Sequence, residues 1–168
     1  MKTNKKQVTL VINPFYRGIG FLAYRSLNQI LDYGIKRADN SSKYDFFEMT
    51  KDLIDYCRPD VILLLSSKGF GKPSKKINKV IELIIKYVLE TDMTLHTYTQ
   101  LQINSIFQEF GVDTKFDRSQ LLIKLYPLLE SISPKTQINF ICSHYQTPVF
   151  DSFAVMVAHE DQMLSEES

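Results

Sequence analysis

The stretch SSKGFGKPSKK, Ser66–Lys76, concentrates the residue types that handle phosphate. Lys68, Lys72, Lys75 and Lys76 make the densest positive run in the chain, with Lys79 just behind. Gly69 and Gly71 let backbone amides approach an anion, and Phe70 between them offers a ring that stacks on a base or wedges between two. Such groups bind a nucleic-acid backbone without choosing a sequence. The stretch is not a P-loop: the G-x-x-x-x-G-K-[ST] spacing is absent and Pro73 follows Lys72. Its plainer reading is a solvated lysine loop.

The other chemistry-bearing residues are scattered. The three histidines, His96, His144 and His159, form no metal-binding spacing, and Cys57 and Cys142 lie far apart. The cysteines read as reduced thiols, which with the absence of a signal-like N-terminus predicts a cytoplasmic protein. No apolar run is long enough to span a bilayer, so no membrane partner is expected. A net charge of +1 excludes a strongly basic nucleic-acid binder but leaves room for a local basic patch. With 44% hydrophobic and 23% charged residues, the chain has the composition of a folded protein rather than a disordered one.

These residues must be positioned by a recognisable series of elements. Val8–Ile12 is a continuous apolar run, as expected of a strand covered on both faces. A turn carrying Arg17, Gly18 and Gly20 leads to a second strand over Gly20–Tyr24, and Gln29–Ala38 supplies a third. Residues Asn40–Ser42 cap a helix on which Phe46, Met49, Leu53 and Ile54 share a face, and Pro59 stops it. Asp60–Ser66 reads as a buried strand, parallel to the first because a helical crossover precedes it. The periodicity then predicts a helix from Ile77 to Leu89, a fifth strand over Thr94–Gln102, and helices over Asn104–Phe110, Asp117–Leu129 and Val149–Leu164. Without repeats or low-complexity linkers, the expectation is a single domain over residues 1–168, with a core of about 8–164 and flexible ends.

This order resembles the RNase H-like fold, an α/β architecture with a mixed five-stranded sheet, its first three strands antiparallel and the rest parallel, flanked by helices. The local wording resembles the RuvC-type Holliday-junction resolvase branch of that superfamily. VINPFYRGIGFLAY is similar to that branch's opening hairpin, ILDYGIKR to its third strand, and LIDYCRPDVILLL to its helix-to-fourth-strand passage. FGVDTKFDRSQLLIKLYP and VFDSFAVMVAH are similar to its later helices, the second of which carries the last catalytic aspartate. The resemblance covers roughly Val8 to His159 and rests on the order of the segments, not on any one of them.

The resemblance implies two-metal phosphodiester hydrolysis, with two magnesium or manganese ions about 4 Å apart held by several carboxylates. Asn13 stands at the first acidic position; a neutral amide ligates weakly and does not offset a dication. The second falls at Leu65 or Ser66, and neither is an acid. The last falls on Asp151, the only matched carboxylate and the only metal-ligand candidate. His144 occupies the region where a further acid is expected, and Asp60 sits at the wrong end of its strand. Arg17 and the Lys68–Lys76 loop would share the rim of this cleft. Plainer readings stand beside these: Asp151 as a helix cap, Asn13-Pro14 as turn geometry, and His96, His144 and His159 as structural residues.

The expected function is therefore a RuvC-like, catalytically impaired protein that binds branched or structured DNA through a basic rim and needs no cofactor. One alternative is an active magnesium- or manganese-dependent resolvase with an atypical site. Another is a non-catalytic interaction scaffold, pairing as a homodimer through the apolar stripe of Ile77–Leu89.

Overall fold

A computed structural model describes residues 5–38, 42–66, 74–132 and 147–168. Five strands form one sheet: β1 (Thr9–Phe15), β2 (Gly18–Ser26), β3 (Gln29–Arg37), β4 (Val61–Ser66) and β5 (Thr94–Thr99). Their spatial order is β3-β2-β1-β4-β5. The first three pair antiparallel, and β1–β4 and β4–β5 pair parallel. This is the mixed sheet that the sequence predicts. Between and after the strands come α1 (Lys43–Cys57), α2 (Lys75–Leu89), α3 (Gln100–Glu109), α4 (Lys115–Leu125), a 3-10 turn at Pro127–Ile132, and α5 (Thr147–Glu167).

Strand periodicity divides the interior in two. Val11, Leu22, Tyr24, Leu63 and Leu65 point to one face and pack with α3, α4 and α5. Leu10, Ile12, Ile19, Phe21, Ile62 and Leu64 point to the other and pack with α1 and α2. Each large apolar side chain buried this way contributes about 1.5–3 kcal/mol relative to exposure. The α2 stripe Ile77, Val80, Ile81, Ile84 and Val88 lies in this second core. Helix α5 is buried nearly all round from Pro148 to Met156, because sheet and helices enclose it.

Several boundaries differ from the sequence expectation. The fifth strand stops at Thr99, whose hydroxyl accepts from the Gln102 amide while the Gln102 side chain returns to the Thr99 amide. This capping box starts α3 at Gln100, earlier than Asn104. Thr114 caps α4, so that helix begins at Lys115; it ends at Leu125, just before Pro127, which opens a 3-10 turn. Helix α1 starts at a Ser42–Asp45 capping box and ends on Arg58 in the left-handed region, one residue before Pro59.

Packing at the site requires a glycine at position 20. A Cβ on Gly20 would lie 2.7 Å from Pro148 Cβ and 3.0 Å from the Pro148 carbonyl oxygen. Gly20 faces Asn13 across the β1–β2 ladder, so its bare backbone lets the start of α5 sit against the end of β1.

Candidate functional site

Parallel neighbours end on the same side of a sheet, so β1 and β4 bring their carboxyl ends together. The amino ends of α3, α4 and α5 meet them there. The result is a cleft of about 280 Å³ lined by Asn13, Pro14, Leu65, Ser66, Gln100, Lys115 and Asp151. The three positions picked from the sequence, Asn13, Leu65/Ser66 and Asp151, thus share one site.

Asn13 follows Val11 on the α5 face of β1 and is buried. Its Nδ2 donates to the Pro148 carbonyl at 3.4 Å, and Ser152 Oγ donates to the same oxygen at 2.8 Å. Leu65 shares that face, and Ser66 is half-buried at the strand end. Asp151 lies one turn inside α5 rather than at its cap, and its partners are cations on α4. Arg118 Nη2 donates to Oδ1 at 3.1 Å, and Lys115 Nζ stands 3.8 Å from Oδ2.

Arg118 is the unusual member. It is only 5% exposed, its Nη1 donates to Asn104 Oδ1 at 2.8 Å, and its guanidinium lies 5.5 Å from the Phe107 ring centroid. Gln100 Nε2 donates to the same Asn104 oxygen at 3.3 Å. Burial pulls the Arg118 pKa below its usual value, and the Asp151 charge and hydrogen bond oppose that pull. The charge of Asp151 is therefore answered from within the chain.

A pair of magnesium ions does not fit this donor set. Asp151 is the one carboxylate lining the cleft among the described residues, and it already faces two cations. The remaining polar donors are an amide, a hydroxyl and a glutamine, which carry no charge to offset a dication. Among the described residues no group of three or more His, Cys, Asp or Glu is placed to hold a metal.

The other candidates are dispersed. Arg17 sits in the β1–β2 turn at this edge, its guanidinium 5.3 Å from the Tyr16 ring centroid. Lys75 is exposed at the start of α2, while Lys76 Nζ stands 4.6 Å from the Phe46 ring centroid, between α1 and α2. Lys68, Gly69, Phe70, Gly71, Lys72, Cys142 and His144 lie outside the described residues. Asp60 lies at the opposite edge, where its Oδ2 accepts from the Val8 amide at 2.8 Å. Cys57 is partly buried, which pushes its thiol pKa up.

His96 and His159 have partners that the sequence does not suggest. Their ring centroids are 4.9 Å apart, and Tyr98 Oη lies 2.7 Å from His159 Nδ1. Burial and the neighbouring His96 lower His159 to a pKa of about 4. Burial raises Tyr98 to about 12, so its hydroxyl stays protonated and shares a hydrogen bond with Nδ1.

The site residues that the sequence reading overlooks are Gln100, Asn104, Lys115 and Arg118. A signal for Arg118 exists: it falls on the buried stripe of α4 with Ser119 and Leu122, where an apolar residue is expected. A cation on that stripe implies a buried acid opposite.

No family model matches the sequence, and no curated protein matches it. Solved structures do. RuvC of Thermus thermophilus is 11% identical, with a TM-score of 0.68 over 95% of this chain and 96% of that one. The same organism's RuvC in complex with a Holliday junction substrate is 12% identical, with a TM-score of 0.67 over 92% and 93%. Fowlpox virus resolvase in complex with Holliday junction DNA is 11% identical, with a TM-score of 0.60 over 94% and 99%. At these identities the likeness speaks for architecture: the chain has a RuvC-like, RNase H-like fold.

Proposed function

We propose that this protein binds branched or structured DNA and is impaired in its cleavage. The observation that carries the reading is the internal ion pairing of Asp151 by Arg118 and Lys115 in the cleft. Two-metal hydrolysis needs excess negative charge at that place, and the side chains there supply a net positive one. The fold supports a nucleic-acid partner, since two of the similar structures hold Holliday junctions. Phosphate contacts would come from the half-exposed Lys115 at the mouth of the cleft, from Arg17 at the same edge, and from Lys68 and Lys72 in the segment after Ser66.

The test is a four-way junction incubated with the purified protein at low salt, with magnesium or manganese present. Retention of the junction without cleavage is the expected result. Cleavage that disappears in Asp151→Ala overturns the impairment, and no retention of junction or duplex overturns the binding. In the second case a partner-binding scaffold is the reading left. The α2 stripe lies in the protein's own core, so a homodimer would need another face, such as that carrying the exposed Leu89.

A further inference from the structure

At the opposite edge of the sheet, where β1, β4 and β5 begin and β2 ends, lies a second cavity of about 470 Å³. Its lining includes Lys6, Arg25, His96, His159 and Glu160. Two fixed positive charges thus face one carboxylate, whose Oε1 already accepts from the Tyr24 hydroxyl at 2.9 Å. Arg25 Nε is buried and has no hydrogen-bond partner among the described residues. A buried donor left unmade costs about 1–3 kcal/mol, more beside a charge, so such a group is seldom idle.

We propose that this cavity binds a phosphate-sized oxyanion, received by Arg25 with Lys6 and His96. The guanidinium of Arg25, which lines the space, presents a planar fork of donors matched to a tetrahedral oxyanion. Ser26 and Thr94 line the same space and add neutral hydroxyl donors. A volume of this size takes a free phosphate or a small phosphomonoester. A metal ion is the poorer fit. His159 Nδ1 is engaged by Tyr98, two cations line the space, and the histidines with Glu160 are not placed as a ligand set. The cavity is separate from the cleft. Asp151 and His159 sit eight residues apart on α5, about 12 Å along the helix axis.

The probe is sulfate, whose charge is constant across the relevant pH range, followed by inorganic phosphate, a nucleoside monophosphate, and a short single strand with a hydroxyl 5′ end. Calorimetry at constant ionic strength is expected to show saturable sulfate and phosphate binding. Arg25→Gln should weaken that binding roughly tenfold or more, the scale of one charge-assisted hydrogen bond, and Arg25→Lys should retain part of it. Sulfate favours the imidazolium, so the His159 titration followed by NMR should move up from about 4. His96, Tyr98, Arg25, Lys6 and Glu160 are the titratable or charged groups around that ring, and all but Arg25 are left unchanged in the comparison. Thermal unfolding shows whether each variant is folded, and the sulfate effect is judged against the same variant in chloride. Binding that is equal in Arg25→Gln and the unchanged protein overturns the proposal. So does binding of the single strand alone, which would assign the cavity to phosphodiesters. Saturable zinc binding that shifts both histidines, with no response to sulfate, overturns it as well.

Discussion

The two ends of the sheet treat charge in opposite ways. At the carboxyl end, Asp151 is enclosed by Arg118 and Lys115, and Arg118 is in turn held by Asn104. At the amino end, Arg25 Nε is buried without a partner among the described residues, beside a roomy cavity, and two histidine rings lie against each other. The same sheet and the same helix α5 build both. One end has closed its electrostatics on itself; the other sets two cations, Lys6 and Arg25, against the one carboxylate of Glu160 in its lining. Burial of charge therefore does not by itself mark a ligand site, and the state of its partners decides.

The largest way to break this comparison is Asp151→Asn. In a cluster of carboxylates that change relieves repulsion and raises stability in the absence of metal. Here it leaves Arg118 buried without its counter-ion and should destabilise by about 3–5 kcal/mol. Urea unfolding measures it, and the joint change Asp151→Leu with Arg118→Met should recover most of the loss. Stabilisation by Asp151→Asn would mean that the carboxyl end is not closed.

Acid tests the other end. His159 titrates near 4 in the fold and near 6.5 as a free side chain, so below about pH 6.5 the unfolded chain binds the extra proton more readily. Its contribution is complete above that pH and falls away as the pH drops towards 4, by on the order of 2–3 kcal/mol. Denaturant titrations across that range should show the slope, and His159→Gln should flatten it.

Gly20→Ala probes the packing that holds the cleft together. The added methyl meets Pro148 at 2.7 Å, and the expected loss is about 1–3 kcal/mol. Because the clash falls on the start of α5, NMR shifts should move at Asn13 and Asp151 and stay put at His159. Uniform shifts would show that the two ends are mechanically joined.

The smallest effect on stability is expected for Lys115→Ala. That side chain is 43% exposed, so its pair with Asp151 should contribute under about 1 kcal/mol. Junction binding should nevertheless weaken, and the slope of affinity against salt should fall by about one counterion. Loss of stability without change in salt slope would assign Lys115 to the fold alone.

The strand order was legible because apolar runs, the glycine turn and the helical crossovers each carry a period or a chirality rule. The approach of Asn13, Ser66 and Asp151 was legible only through the resemblance, which set three distant segments at one edge. What the sequence hid is pairing across helices. Nothing in the spacing of Asn104, Arg118 and Asp151 joins them, since α3, α4 and α5 converge only after the sheet has formed. The Thr99–Gln102 capping box hid for a different reason: a run of β-formers masked the Thr-x-x-Gln signal that ends the strand. The meeting of His96 and His159 was equally invisible, lying between a strand and a helix 63 positions further along the chain.

The hydrogen bond from Asn13 to the Pro148 carbonyl makes an acid hard to place at position 13 by that change alone. An aspartate at position 13 would aim a negative oxygen, in place of a donor, at that carbonyl, which Ser152 would be left to satisfy alone. The new charge would also arrive where Arg118 and Lys115 already balance Asp151, the one acid lining the cleft among the described residues. Building a two-metal site in this cleft through single substitutions thus begins with a step that loosens the seat of α5 and yields no second acid at Ser66. Geometry of this kind ties the charge of the cleft to the seating of a helix.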